Sequence, residues 1–237
     1  EMNLLCTICA RSGSVGFPNK NIKELNGKPL LAHSINQAIE TNLFQAIVVS
    51  SDSEEILETA GKFGADAGFK RPKKLATASA PKIPVIRHVL GLSEKKYNIK
   101  FDVIIDLDVT SPLRSVKDIK RSFNFFIKED YDNLITGCSS RRNPYFNMVE
   151  FKEKTVFLSK IIKNKPSTRQ SAPKVFDMNA SIYIWKRSML IKSDDLFTNN
   201  TGFYEMPEER SHDIDSFLDW QIVEMIMKKN LNKDDPQ

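Results

Sequence analysis

The chain has 237 residues, 41% of them hydrophobic and 27% charged, and its 35 Lys+Arg against 30 Asp+Glu give a net charge of +5. This composition suits one globular domain with a sizeable core and excludes a disordered or fibrous chain. No run approaches the roughly 20 apolar residues of a membrane-spanning helix, and the lysines are spread along the chain rather than gathered into a nucleic-acid surface.

Residues 4–9 form a continuous apolar run that predicts a first β-strand. This run is too short for a signal peptide, so a cytoplasmic location is expected. Its Cys6 and Cys9 have CxxC spacing, but residues three apart on a strand point to opposite faces. Buried reduced thiols are therefore expected there, not a metal pair. Residues 10–21 follow as a loop with two glycines, Gly13 and Gly16, and two cations, Arg11 and Lys20. Glycines let backbone N–H groups approach an anion, and the cations neutralise it, so the loop suits phosphate. Its spacing matches neither the Walker A loop nor the Gly-x-Gly-x-x-Gly dinucleotide loop.

Leu30, Leu31, Ser34, Ile35, Ala38 and Ile39 recur at helical spacing, and 45–50 is a short β-branched strand. Asp52 or Ser53 caps a helix carrying Ile56, Leu57, Ala60 and Phe63 that stops at Gly64. An extended segment at 69–72, a helix at 84–92, a central strand at 101–108, a helix at 116–128 and a strand at 133–138 complete a βαβα rhythm. The fold class is therefore α/β, a mainly parallel twisted sheet with helices on both faces. Ligands of such sheets bind beyond the carboxyl ends of the strands, where the first loop should meet the 106–114 segment. Residues 139–175 are polar and read as an excursion of hairpins or loops. A strand at 180–185 and a closing helix at 217–227 follow, and 230–237 read as a frayed tail.

Three further segments have the residue types for chemistry. Asp213 and Asp215 are spaced i, i+2, which on an extended segment puts both carboxylates on one face, within reach of one divalent cation; an acidic helix cap is the competing reading. Thr110, Ser111 and Arg114 follow the central strand, where either a ligand crevice or a Ser-Pro turn fits. Arg169 and Gln170, with Asn179 and Tyr183 farther on, offer polar groups to a hydroxylated or carboxylated substrate.

Ala10-Arg11…Ser14…Gly16-Phe17-Pro18-Asn19-Lys20-Asn21, Gly27-Lys28-Pro29-Leu30, Val49-Ser50-Ser51-Asp52, Arg71-Pro72…Leu75-Ala76, Thr110-Ser111-Pro112-Leu113-Arg114, Arg169-Gln170, Asn179-Ala180-Ser181-Ile182-Tyr183 and Asp213-Ile214-Asp215 occur in this order. As a set, spread over residues 3–228, they resemble the acylneuraminate cytidylyltransferases, the CMP-sialic acid synthetases. CMP-Kdo synthetases share the first loop more loosely. The resemblance implies a Rossmann-like nucleotidyltransferase domain over 1–229 with a dimerisation excursion at 139–175, acting as a homodimer. It implies Mg²⁺-dependent transfer of CMP from CTP to the anomeric hydroxyl of a nonulosonic acid, with release of pyrophosphate. By matching position, Arg11, Ser14 and Lys20 would hold the triphosphate, and Asn21, Arg71 and the Ala80 backbone the cytidine. Asp213 and Asp215 would bind Mg²⁺, with Asp215 or a hydroxide on the metal as the base. Asp108, Thr110, Ser111, Arg169, Gln170, Asn179 and Tyr183 would line the sugar pocket, and Leu196 and Phe197 would reach the partner's acyl-group pocket.

The chain departs from this pattern where Val15 stands for a lysine, Asp108 for a glutamine, and Phe146 and Asp177 for cations, and at Ala78-Ser79-Ala80-Pro81-Lys82, which lacks the usual Asp and Ser although this segment should touch cytosine. An acid and an aromatic near the sugar suggest an acceptor with an added amine, amidine or acylamino substituent, of the legionaminic type. A CTP-binding protein without catalysis is the competing class; the retained Asp213/Asp215 pair and the Arg11/Lys20 pair argue against it.

Overall fold

A strand that reads as an unbroken apolar run has to be covered on both faces, and three such strands form the middle of the sheet. The computed structural model describes residues 2–13 and 17–234, with side chains to residue 230. In chain order, β1 (Leu4–Cys9) leads through the first loop to a hairpin of β2 (Glu24–Leu25) and β3 (Lys28–Pro29). Asn26 and Gly27 connect the hairpin with φ 49° and 79°. Both central residues in the left-handed region make the two-residue turn that suits Asn-Gly. Then come α1 (Leu30–Thr41), β4 (Ala46–Ser51), α2 (Glu54–Lys62), β5 (Ala67–Lys70), α3 (Lys82–Tyr97), β6 (Val103–Leu107), α4 (Val116–Lys128) and β7 (Asn133–Ser139). The hairpin β8 (Val149–Lys152) and β9 (Thr155–Leu158) fills part of the 139–175 excursion. The chain closes with β10 (Phe176–Lys186), α5 (Arg187–Lys192), β11 (Thr201–Glu205) and α6 (Phe217–Asp234).

The seven-stranded sheet has the order β11-β7-β10-β6-β1-β4-β5. All its pairings are parallel except those of β10, which runs antiparallel to both β6 and β7. The core divides into one cluster on each face. Leu30, Ile35 and Phe126, with Trp220 from α6, cover one face; Ile86, Val89, Leu90 and Trp185 belong to the other. The expected mainly parallel sheet with helices on both faces is therefore present.

Several boundaries differ from the sequence expectation. Ser53, not Asp52, caps α2, accepting the Ile56 N–H at 3.4 Å, while Asp52 turns back to the first loop. α3 begins two residues before Pro84, because a proline is tolerated in a helix's first turn, and this draws Lys82 into the helix. The closing helix expected to stop at 227 continues to Asp234, taking in most of the tail expected from 230. The edge strand β11 was not anticipated; it holds Gly202, and a Cβ there would come within 2.3 Å of the Tyr131 ring. Cys6, Cys9 and Cys138 are all free thiols, and burial, with Asp106 nearby, pushes the Cys9 thiol up to about 12. No helix among the described residues is long and apolar enough to cross a membrane.

β10 is irregular where it passes the site. Its register with β7 shifts between Met178 and Tyr183, and Ala180 sits at φ 53°. A left-handed non-glycine residue inside a strand marks a bulge that re-aims its neighbours. The bulge is held by the Asn179 side chain, whose Oδ1 accepts from Thr136 Oγ1 at 2.7 Å and from the Ser181 N–H at 3.1 Å.

Candidate active site

Beyond the carboxyl ends of β1, β5 and β6 lies a cleft of about 480 Å³. Arg11, Lys20, Asn21, Arg71, Ala80, Asp108, Thr110 and Asp215 line it, so eight of the residues singled out in the sequence converge on one place. This is where a parallel sheet leaves a crevice, because adjacent βα loops diverge there. Ser14, Val15 and Gly16 lie outside the described residues, so the expectations for Ser14 and Val15 are not placed.

The first loop is tied at both ends. Ser12 donates from its N–H and hydroxyl to Asp52, each at 2.8 Å, and Asn21 Nδ2 donates to the Arg11 carbonyl at 2.8 Å. Lys20 is buried, and its Nζ donates to the Ile214 carbonyl at 2.6 Å and lies 3.5 Å from Asp215 Oδ1. The phosphate-type loop is thereby pinned to the acidic segment nearly two hundred residues away. Arg71 is anchored beneath the cleft by bonds from Nε to Ser50 Oγ at 3.1 Å and from Nη2 to the Ser50 carbonyl at 2.9 Å.

Asp213 and Asp215 flank Ile214, whose side chain is buried in the core and whose N–H bonds the Thr110 carbonyl at 2.9 Å. Burial and the like charge of Asp215 raise the Asp213 carboxyl above the usual range. Two carboxylates crowded so that one resists ionisation form a donor set a divalent cation relieves, and hard oxygen ligands suit Mg²⁺. Among the described residues no group of three or more His, Cys, Asp or Glu side chains could hold a metal. The pair therefore fits an ion that takes one or two carboxylates and completes its shell with phosphate oxygens and water.

Asp213 faces a second hollow of about 340 Å³, lined also by Cys138, Arg141, Asp177, Glu208 and His212. Asp177, one of the departures noted in the sequence, thus lies beside the acidic segment. Asn179 lines this hollow too, but its amide is committed: Nδ2 donates to Ser211 Oγ at 3.0 Å while Oδ1 holds the β10 bulge. Tyr183 is buried and stacks on Trp185 at 5.5 Å in a smaller apolar recess with Leu196.

Other expected sugar residues are not brought into the cleft. Ser111 is wholly buried, its hydroxyl 3.4 Å from the Asn179 carbonyl, because it braces the bulge. Arg169 donates to the Ser140 carbonyl at 2.7 Å on the excursion, and Gln170 beside it is exposed; neither lines the cleft or the second hollow. Phe197 is 59% exposed and points into none of the described cavities. Arg114 is buried, spanning Gln37, Ser34, Ser181 and the Asp108 carbonyl, and is a brace between α1, β6 and β10.

Asp108 lies in the cleft with its carboxylate already engaged. Oδ1 accepts from the Thr110 N–H and hydroxyl at 3.0 and 2.9 Å, and Oδ2 accepts from Lys82 at 3.1 Å. Burial works against ionisation there, but Lys82 and Thr110 outweigh it and bring the carboxyl down to about 2. Asp108, expected to meet the sugar, is in the cleft and is paired there with Lys82. Lys82 is a charged cleft residue to which sequence reasoning assigned no role of its own. Its only signal was a cation directly after Pro81 and before an apolar helix, where an acidic or uncharged residue is the usual choice.

The chain matches the model of the cytidylyltransferase family over residues 5–232. It is 48% identical over 236 residues to the CMP-N,N'-diacetyllegionaminic acid synthase of Campylobacter jejuni, covering 98% of both chains. It is equally 48% identical over 236 residues to the post-translational flagellin modification protein B of Campylobacter coli, again over 98% of each. Among solved structures, a CMP:2-keto-3-deoxy-manno-octonic acid synthetase complexed with CTP superposes with a TM-score of 0.71, covering 96% of this chain and 99% of that one. At 15% identity that likeness concerns the fold alone.

Proposed function

This chain belongs to the cytidylyltransferase family, and on that premise we propose that it transfers CMP from CTP to the anomeric hydroxyl of a nonulosonic acid, with Mg²⁺ as cofactor and pyrophosphate as leaving group. The observation that carries the reading is the Lys20 clamp: a cation of the phosphate-type loop is bonded to Ile214, between the two carboxylates suited to a metal. Triphosphate charge and a divalent cation are then handled at one point of the cleft.

Arg11 and Lys20 would neutralise the phosphates in the ground state and as charge builds on the leaving pyrophosphate. Asn21, Arg71 and the Ala80 segment line the part of the cleft left for the nucleoside. Asp213 and Asp215 would hold Mg²⁺, which when bound offsets phosphate charge and orients the triphosphate. Asp215, on the cleft wall, is the chain's own group best placed to take the proton of the attacking hydroxyl. Most of the rate gain would come from holding a poor tertiary nucleophile in line with the α-phosphorus.

The acceptor class follows the relatives, and a diacetylated legionaminic-type acid is the favoured member. Asp177 in the hollow beside Asp213 suits an acceptor with added acylamino or amino substituents. A cytoplasmic homodimer that binds no nucleic acid completes the reading. The β8–β9 hairpin and its surroundings expose Phe151 (83%), Ile161 (80%), Val149, Val156 and Phe157. A two-stranded hairpin with so much apolar surface is marginal alone in water, so a second copy is proposed to cover it.

Purified protein given CTP, Mg²⁺ and N,N'-diacetyllegionaminic acid is expected to release pyrophosphate and form the CMP-sugar, with a lower kcat/KM for N-acetylneuraminate. No pyrophosphate release with any nonulosonic acid would refute the proposal. A clear preference for N-acetylneuraminate would refute the choice of acceptor.

A further inference from the structure

Lys82 stands where local rules disfavour it. It opens α3, whose N-terminus carries the positive end of the helix dipole and has no side-chain cap. The side chain turns inward, with Nζ 2.9 Å from Asp106 Oδ2, 3.1 Å from Asp108 Oδ2 and 4.8 Å from the Tyr183 ring centre. The carboxylates are occupied on their other sides as well: Asp106 Oδ1 accepts from Thr7 Oγ1 at 2.7 Å, and Asp108 Oδ1 from Thr110. An ammonium has three hydrogens, and the carboxylates use two. The Lys82 side chain is 31% exposed and lines both the main cleft and the apolar recess of Tyr183, Trp185 and Leu196. Of the three charged groups, it is the one with a donor hydrogen left for a ligand oxygen.

The charge balance narrows what that ligand atom is. The one ammonium already answers two carboxylates, so it has little charge to spare for a phosphate or carboxylate, while an uncharged oxygen needs only its free N–H. Anionic groups are better served by Arg11 and Lys20 in the same cleft.

We propose that Lys82 is a specificity-determining residue, donating its third N–H to an uncharged oxygen (an amide carbonyl or hydroxyl) of the acceptor sugar, with Asp106 and Asp108 as the positioning residues that hold the ammonium in place. This rests on the reading that the second substrate is a sugar acid. A cation at a helix start, otherwise unfavourable, is then explained by the two carboxylates, Asp106 buried and Asp108 partly so, that aim it.

The test is steady-state pyrophosphate release with CTP, Mg²⁺ and N,N'-diacetyllegionaminic acid for wild type, Lys82→Met, Lys82→Arg and Asp108→Asn, with melting curves to confirm folding. Lys82→Met is expected to raise the sugar KM about tenfold or more while the CTP KM stays within about twofold, the signature of a lost contact to one substrate. Because Lys82→Met leaves the Asp106 and Asp108 carboxylates facing each other without a cation and can unfold, Lys82→Arg and Asp108→Asn carry the test as well. Both keep a cation against a carboxylate, and both are expected to raise the sugar KM severalfold. Unchanged sugar KM in folded Lys82→Arg and Asp108→Asn, or a CTP KM rising in step, overturns the assignment of Lys82 alone. A wild-type enzyme that turns over no sugar acid overturns both this assignment and the reading it rests on.

Discussion

Arg114→Met separates a brace from a ligand group, since both roles were open for this residue on sequence. Arg114 is 2% exposed, and its guanidinium donates to Gln37 Oε1 at 2.9 Å, the Ser181 carbonyl at 2.6 Å and the Asp108 carbonyl at 2.6 Å, with the Ser34 and Ser181 hydroxyls beside it. Burial draws its pKa down to about 10, so it stays charged at neutral pH. Methionine matches the length of the stem but leaves those acceptors without their charged donor. Each such bond is worth about 1.5–3 kcal/mol on deletion, and the released cost of burying a cation offsets part of the sum. Ser181 and Asp108 also soften the loss, since the Ser181 carbonyl still accepts from the Asp108 N–H and the Asp108 carbonyl from Ser34 Oγ. A net loss of about 3 kcal/mol is expected, which for a chain of this size lowers Tm by about 6–12 °C. Circular-dichroism melts with and without CTP measure this, alongside CTP affinity below the transition. A Tm within about 2 °C of wild type combined with about tenfold weaker CTP binding would refute the bracing role.

Asp213→Asn and Asp215→Asn are each expected to cut kcat by about a hundredfold or more at saturating Mg²⁺, while CTP affinity without metal changes little; calorimetry and turnover together check this, and near-wild-type kcat in either removes that carboxylate from the role. The double variant Phe151→Ser, Ile161→Ser is expected to weaken self-association about tenfold or more in sedimentation velocity, and a wild-type chain that sediments as a monomer refutes the hairpin interface. Asp118 sits under Arg210, which donates two bonds at 2.8 and 2.9 Å; burial works against ionisation, but Arg210 and Ser115 outweigh it and hold the carboxyl below its usual range. With the folded pKa below the unfolded one, its contribution is present above about pH 4 and lost as pH falls through the folded value. Asp118→Asn is therefore expected to lower Tm at pH 7 and to lose that difference toward pH 2–3; an equal deficit at both ends of the range counts against the pairing.

The strands and helices of the first half were legible because an unbroken run such as 101–108 has few ways to be buried. Arg11, Lys20 and Asp215 stood out because charges beside small residues at strand ends suit an anion or a metal, and the structure brings all three to one cleft. The sequence motifs also pointed to the cytidylyltransferase family, with a legionaminic-type acceptor suggested by the unexpected acids, and one relative at 48% identity is a CMP-N,N'-diacetyllegionaminic acid synthase. Asp108 stands in the cleft as expected, with its carboxylate bonded to Lys82 and Thr110, partners the sequence did not indicate.

What the chain alone could not assign was which polar residues serve the ligand and which serve the fold. Arg114, Ser111 and Asn179 lie in motif segments yet spend their hydrogen bonds on the β10 bulge and the α1–β6–β10 junction. Lys82, in a segment that looked like a departure, turns out to stand in the cleft. A donor's role depends on the acceptors that reach it, and those arrive from strands up to about a hundred residues away: Lys82 with Asp106, Thr7 with Asp106. Local pattern therefore determined the elements, the loop chemistry and the family, while only the packed sheet decided which charges remain free to meet a substrate.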